Sequence, residues 1–405
     1  MSQASPSLLH KLWSSVEFKL VLAWLVVVVA TAFFDSNHTY LTDPMGSSEL
    51  IIRNTVLLGF FALGSAIIII SGGIDLSSGS VIALSATVFG SLLILLDPHG
   101  FRDGALSRTA VVFAMAGTIV VGAMIGTLHA WLITRIGLPP FIATLATLVG
   151  LRSFGRGLAP TITTGGKSQI DFPERMLRDS LKDVTTISIV FVVFALILWF
   201  LMSRTVTGRH LHAMGGNEQA AKLSGIRTDR LKWLAYVLGS VSASIVGIIS
   251  FADVGSAKPD IMARGYELNA IAASVIGGCS LQGGIGTIPG TILGCLFLRT
   301  VIDAVNKVVG SGADVYEGMI VGIVVVLAVT FSQRGQQAIK TRYFNNAIGW
   351  FTIPVLSLLA GLLMLLFFGK QSWYTPAHAV VVGVLVAVTL AARGVWEITS
   401  DKKNS

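Results

Sequence analysis

The chain has 405 residues, of which 53% are hydrophobic and only 12% charged, and its mean hydropathy is +0.77. Soluble domains carry about 25% charged residues, so a water-exposed globule is excluded and an all-α, polytopic transmembrane helical bundle is expected. The formal net charge of +8 points to basic cytoplasmic loops rather than nucleic acid, because the aromatic residues lack basic interleaving. Cys279 and Cys295 lie in apolar surroundings without ligand or redox spacing, so neither a disulfide framework nor a metal site is implied.

A bilayer core of about 30 Å needs roughly 20 apolar residues per crossing helix. In chain order this predicts spans at Phe18–Phe34, Thr55–Ser71, Val81–Leu96, Thr109–Thr134, Ile187–Met202, Leu234–Phe251, Thr287–Val305, Met319–Phe331, Ile348–Phe368 and Ala379–Ala392. The shorter apolar runs Phe141–Leu151 and Ala270–Gly278 are expected as half-spans, tolerated at membrane depth where protein buries their backbone. Ala30-Thr31-Ala32 has the small-residue look of a cleavage site, but the run before it is read as a retained first span.

Basic residues set orientation. Lys11 and Lys19 precede the first span; Arg204, Arg209, Lys222, Arg227, Arg230 and Lys232 crowd the loop Ser203–Trp233; Arg334, Lys340, Arg342, Lys402 and Lys403 lie near the end. Both termini and the Ser203–Trp233 loop are therefore expected inside. The loop Arg152–Asp183, also basic, is assigned outside, its acids Asp171, Glu174, Asp179 and Asp183 nearly balancing it.

Catalytic motifs are missing. Gly166-Lys167-Ser168 resembles the end of a phosphate-binding loop, but Thr161 occupies the position five residues before Gly166, so the frame fails and the chain is not expected to hydrolyse ATP. His129, within a span, is read as a packed, hydrogen-bonded histidine, and Asn37-His38-Thr39 matches a glycosylation sequon that decides nothing.

Three stretches carry information. In Ser71-Gly72-Gly73-Ile74-Asp75-Leu76-Ser77-Ser78-Gly79-Ser80, glycines permit unwound backbone and Asp75 or Ser77 can open the next helix. It reads either as a tight helix–helix turn or as a broken helix whose polar groups pass a solute. The run from Gly277 to Gly294 includes Gly278, Ser280, Gln282, Gly283 and Gly284, then Gly286, Gly290 and Gly294 at four-residue spacing. Those last three are expected to form a flat strip on one helix face, suited to close packing or to a joint beside a moving helix; Gly122 and Gly126 form a weaker pair. In the inside loop, Gly215 and Gly216 lead to Asn217, a good N-cap. Glu218–Ser224 follow with Glu218 and Lys222 at i,i+4, and Gly225 can end the helix. So short a helix is unstable alone and must dock on something.

Together these stretches resemble the permease subunits of bacterial sugar ABC importers of the ribose/xylose/galactose group over roughly residues 50–332. The landmarks are Gly72-Gly73-Ile74-Asp75-Leu76-Ser77, Leu138-Pro139-Pro140-Phe141-Ile142-Ala143-Thr144-Leu145, Gly215-Gly216-Asn217-Glu218 with Ala221-Lys222-Leu223-Ser224-Gly225-Ile226, and Tyr266-Glu267-Leu268-Asn269-Ala270-Ile271-Ala272-Ala273. The resemblance implies a pathway formed by two permease chains, identical or paralogous, in the bacterial inner membrane. It implies a cytoplasmic ABC ATPase that holds ATP and Mg, and a soluble sugar-binding protein outside. It makes the Gly215–Ile226 segment the coupling helix seated in the ATPase. Thr287-Ile288-Pro289-Gly290 also looks like branched-chain amino-acid permeases, which stay open as an alternative.

Residues 1–334 then form the permease core, with 203–233 its coupling loop, and 335–405 a C-terminal extension of two helices expected to pack peripherally. Few polar groups lie in the central spans (Asp75, Asp303, Asn54, Asn269), which suits a small neutral solute, since an ionised side chain at mid-bilayer costs about 2.5–3.5 kcal/mol. No intramembrane carboxylate pair favours a secondary transporter, and no frame joins Ser77 and His129 as a hydrolase. The residues expected to line the pathway are Gly72, Gly73, Asp75, Ser77, Asn269 and Ser280.

Overall fold

The computed structural model describes residues 15–172, 181, 183–309, 317–323, 326, 347–368 and 375–401. Its elements are α1 (Val16–Phe34), α2 (Thr39–Thr42), α3 (Pro44–Ile70), α4 (Ser78–Leu96), α5 (Pro98–Asp103), α6 (Arg108–Thr134), α7 (Pro140–Ile162), β1 (Ile170–Asp171), α8 (Val184–Arg204), α9 (Val206–Gly216), α10 (Glu218–Leu223), α11 (Thr228–Val254), β2 (Ser256–Ala257), α12 (Tyr266–Ile276), α13 (Ile288–Val309), α14 (Ala347–Phe368) and α15 (Pro376–Asp401). Eight helices among the described residues are long and apolar enough to cross a membrane: α1, α3, α4, α6, α8, α11, α13 and α15. Residues 347–368 are helical as expected, whereas most of Met319–Phe331 lies outside the described residues.

Short polar side chains cap the helices. Asp43 accepts from the Gly46 N–H (2.9 Å) ahead of Pro44 in the first turn of α3, Asp183 from the Thr186 N–H (2.8 Å) at α8, and Ser107 from the Ala110 N–H (3.3 Å) at α6. Each satisfies a donor that the first helical turn leaves unpaired.

Burial separates two kinds of span. The most apolar windows of α3 and α4 are each 78% buried and that of α11 is 67% buried, against 28% for α6, 22% for α8 and 11% for α1. Helices α3, α4 and α11 form the core, and Phe113 and Val120 of α6 and Val193 and Phe200 of α8 face outward. Lipid is the solvent that tolerates such faces. Helix α11 packs along α3, α4 and α6, while α7 lies on α4 and α8 on α3. Close contact between α6 and α11 depends on Gly122 and Gly126: a Cβ on Gly126 would sit 2.5 Å from the Tyr236 carbonyl oxygen.

Two expectations are corrected. The piece Phe141–Leu151 is only the first part of a longer helix: α7 runs on to Ile162, although it is not among the helices long and apolar enough to cross a membrane. Apolarity fades at Arg152, but the helix continues because Arg152 donates to Ser80 Oγ (3.2 Å) and to the Pro259 and Met262 carbonyls (both 3.0 Å), and Arg156 pairs with Asp260. The start of the expected loop Arg152–Asp183 is therefore helix. Second, Gly286 is not on the helical strip. Helix α13 begins at Ile288 with Pro289 in its first turn, and Gly286 precedes it at φ 155°. Gly290 and Gly294 alone make the close approach to α12. The run Ala270–Gly278 does correspond to a short helix, the 11-residue α12.

Strand β1 pairs antiparallel with β2, Ile170 opposite Ala257 and Asp171 opposite Ser256, and the Phe172 ring packs 4.9 Å from that of Phe251. The chain divides into two compact units, one of residues 1–308 with 314–332, the other of 309–313 with 333–405. Within the second, α14 and α15 pack along each other, with Gly361 against the Ala379 carbonyl and Gly383 against that of Ser357.

Candidate functional site

Helix α3 ends at Ile70 and α4 starts at Ser78, and the seven-residue break between them carries the first motif. Helices α3 and α4 share no extended interface, although each packs along α11, so the break is not the turn of a helical hairpin. Gly72 takes φ 85°, a region that favours glycine, and the Gly72 and Gly73 amides close on the Ile69 and Ile68 carbonyls at 2.9 Å. Asp75 is buried and its Oδ1 accepts from both the Ser77 N–H (2.7 Å) and the Ser77 hydroxyl (2.6 Å). Ser77 is the N-cap residue, but through its backbone: its carbonyl accepts from Ser80 and Val81, and its side chain caps nothing.

The break is braced from α6 and α7. Leu76 N–H donates to Thr144 Oγ1 (3.2 Å), which faces the Ile74 carbonyl (3.3 Å). His129 is fully buried, with Nε2 2.8 Å from Thr147 Oγ1 and 3.4 Å from Ser77 Oγ, in line with the packed histidine expected. Tyr236 stands edge-on to the His129 ring at 6.1 Å, its hydroxyl directed at Gly73, where a Cβ would lie 2.6 Å away.

The second motif links α12 to α13. Gly278, Gly283 and Gly284 have φ of 93°, 88° and 77°. Ser280 is buried; its N–H donates to the Ile285 carbonyl (3.0 Å) and its hydroxyl accepts from Gln282 N–H (3.3 Å). A Cβ on Gly277 would clash with the Gly290 carbonyl and one on Gly294 with that of Ala273, so α12 and α13 touch backbone to backbone.

The third motif forms the helix expected of it. Asn217 Oδ1 accepts from Ala220 N–H at 2.9 Å, and Gly225 (φ 83°) ends α10 with its N–H on the Lys222 carbonyl and Ile226 N–H on that of Ala221, both 3.0 Å. Ala221 is buried and holds the helix down, whereas Leu223 is 91% exposed and Lys222, Ser224 and Gly225 are exposed beside it. Glu218 pairs with Lys222 (2.9 Å) and Lys232 (2.8 Å). Partial burial opposes its ionisation, but hydrogen bonds from Lys232 and Lys222 prevail and hold its carboxyl below the usual range, and Glu218 in turn raises the Lys222 ammonium.

These three motifs converge. Gly284 N–H donates to the Ile70 carbonyl (2.9 Å), and His212 Nδ1 donates to the Gly284 carbonyl (3.1 Å). A Cβ on Gly283 would lie 2.9 Å from Gly72 Cα, and one on Gly215 would collide with the Ile70 carbonyl. The end of α3, the end of α9 and the glycine loop thus meet backbone to backbone, one residue from the Asn217 cap. Sequence reading singled out all three segments and missed that they touch.

Asn269 stands apart from this junction. It lies in the first turn of α12, its Nδ2 donating to Glu317 Oε1 (3.2 Å), which also receives Arg299 (3.3 Å). Asp303 is paired with Lys307 (3.1 Å) and accepts from the Tyr40 hydroxyl (2.8 Å). The expected pathway residues are therefore distributed over two places. Arg152, Thr147, Tyr236 and Glu317 were not foreseen; an arginine or tyrosine interrupting an apolar run was the available signal for the first and third.

Residues 48–329 match the family described as branched-chain amino acid transport system / permease component. The chain is 33% identical over 329 residues to the ribose import permease protein RbsC of Escherichia coli K12, covering 79% of this chain and 95% of that protein. It is 35% identical over 315 residues to RbsC of Bacillus subtilis (76% and 90% covered). To the D-allose transport system permease protein AlsC of E. coli K12 it is 28% identical over 326 residues (78% and 94%). No solved structure matches the chain.

Proposed function

Because the chain belongs to the branched-chain amino acid transport system / permease component family, we propose that it is the membrane-spanning permease subunit of an ABC importer. It carries a small neutral sugar inward across the bacterial inner membrane, with both termini cytoplasmic. ATP, with Mg, is hydrolysed on a separate cytoplasmic ATPase; a second permease chain completes the pathway, and a soluble sugar-binding protein delivers substrate from outside.

The observation that carries this reading is the exposed, capped α10, one residue from the glycine junction. A two-turn helix with an exposed leucine is a handle for a partner, and the end of α9 that leads into it touches both the α3–α4 break and the loop before α13. A push on α10 reaches those two segments through backbone contacts that leave no slack, which is the physical requirement for coupling a remote engine to a gate. Gly215, Gly216, Asn217, Glu218, Ala221, Lys222, Leu223, Ser224 and Gly225 form the coupling element; Gly278, Gly283, Gly284, Gly286, Gly290 and Gly294 supply the joint. The sugar reading is preferred over an amino acid because the relatives named above are ribose and allose permeases.

The test is co-purification of the tagged chain from its source cells, followed by reconstitution. Recovery of an ABC ATPase and a sugar-binding protein, with ATP-dependent uptake of that protein's ligand into vesicles, is expected. ATP turnover by the purified chain alone, or uptake without ATP, would defeat the reading.

A further inference from the structure

Around Asn269 the structure has a cleft of about 420 Å³, lined among others by Arg264, Tyr266, Leu268, Asn269, Glu317 and Val321. That volume falls within the range of roughly 300–1,000 Å³ typical of small-molecule sites. Its floor is a fixed network. Glu317 Oε1 receives Asn269 Nδ2 and Arg299, and the Arg299 guanidinium lies 5.9 Å above the Tyr266 ring, whose other neighbour is the parallel ring of Phe61 at 5.8 Å. Among the described residues, Asn269 Oδ1, Glu317 Oε2 and the Arg264 guanidinium have no hydrogen-bonding or ionic partner. Two acceptors and a fork of donors thus border one cleft whose walls include the apolar Leu268, Ile271 and Val321.

Adjacent hydroxyls on a sugar ring need this combination: each hydroxyl both donates and accepts, while the ring's C–H faces lie against apolar walls. A free cation or ammonium is a poorer fit, because Arg299 at 3.3 Å already compensates the Glu317 charge. We infer that this cleft is a transient polyol subsite on the import pathway, where Glu317 and Asn269 accept from neighbouring sugar hydroxyls and Arg264 donates. The inference rests on the importer reading and deepens it: the permease itself would discriminate hydroxylated from deoxygenated sugars.

The experiment uses the complete transporter in vesicles, with Leu268→Cys as a reporter. Leu268 is 55% exposed, and the native Cys279 and Cys295 are 1% and 0% exposed, so a small polar maleimide reports on position 268. Millimolar ribose, allose or galactose should slow labelling at least ~2-fold once it reaches its dissociation constant. The 2-deoxy counterparts should protect less, and adding Glu317→Gln should abolish the difference between them. If labelling ignores every sugar while the same vesicles accumulate sugar, the subsite is refuted and the importer reading stands. If leucine protects and is accumulated in place of sugars, the importer's substrate class falls, and the subsite with it.

Discussion

Gly284 donates its N–H to the carbonyl of Ile70 at 2.9 Å, and Gly215 lies so close to the same carbonyl that a β-carbon on it could not be accommodated. The last carbonyls of a helix need partners; here the partner is the loop that leads to α13, with the end of α9 wedged against both. Gly215→Ala should therefore destabilise by about 1–3 kcal/mol, the usual cost of overpacking, because the obstructing atoms are backbone on two sides. Gly216→Ala, whose β-carbon meets open space, should stay within about ±0.5 kcal/mol. Thermal unfolding in detergent, paired with uptake, checks this; equal behaviour of the two variants would show that the junction is loose.

The carboxylate of Asp75 organises the α3–α4 break by accepting twice from Ser77. Asp75→Asn keeps an acceptor at the same place, whereas Asp75→Ala leaves the buried Ser77 N–H and hydroxyl without it. The alanine variant should lose about 1–3 kcal/mol, the penalty of a buried unsatisfied group, and the asparagine variant clearly less. Hydrogen exchange at the first turn of α4 should rise in the alanine variant alone. If both variants behave alike, it is charge, not hydrogen bonding, that matters at Asp75.

Glu218 bears on pH. Its pKa is depressed in the folded chain by Lys232 and Lys222. A depressed carboxylate contributes stability that is present above its unfolded pKa of about 4.3 and is lost as pH falls through the lower folded value. Amides of residues 218–223 should hence be protected near neutrality and lose protection in acid, and Glu218→Gln should flatten that dependence. Exchange measured by mass spectrometry across this range decides it; an unchanged acid profile in the glutamine variant would remove Glu218 as the cause.

What was legible in the sequence was local. Asn217 and Gly225 announce the two ends of α10 through one side-chain acceptor and one left-handed backbone, both properties of single residues. Spacing alone puts Gly286 on a helix, although Pro289 marks the first turn just beyond it. Apolarity alone ends α7 near Leu151, whereas its continuation is secured by the Pro259 and Met262 carbonyls, remote in sequence from Arg152. The meeting of Gly72, Gly215 and Gly283 is likewise non-local: each glycine looks like an ordinary loop residue until the three backbones are seen to share one place.

Leu223 offers the cleanest test of coupling. It is 91% exposed on a helix whose inner side is anchored by buried Ala221, so Leu223→Asp should leave folding within about ±0.5 kcal/mol. A leucine that seats in an ATPase cleft behaves differently: burying a charge there without a partner is costly, and the loss at an interface anchor is typically about 2 kcal/mol or more. Affinity of the reconstituted permease for its ATPase should then fall about 30-fold or more, with uptake falling in step and the melting temperature unmoved. Unaltered ATPase binding and uptake in this variant, or a drop in melting temperature that accounts for the whole effect, would place the coupling surface elsewhere.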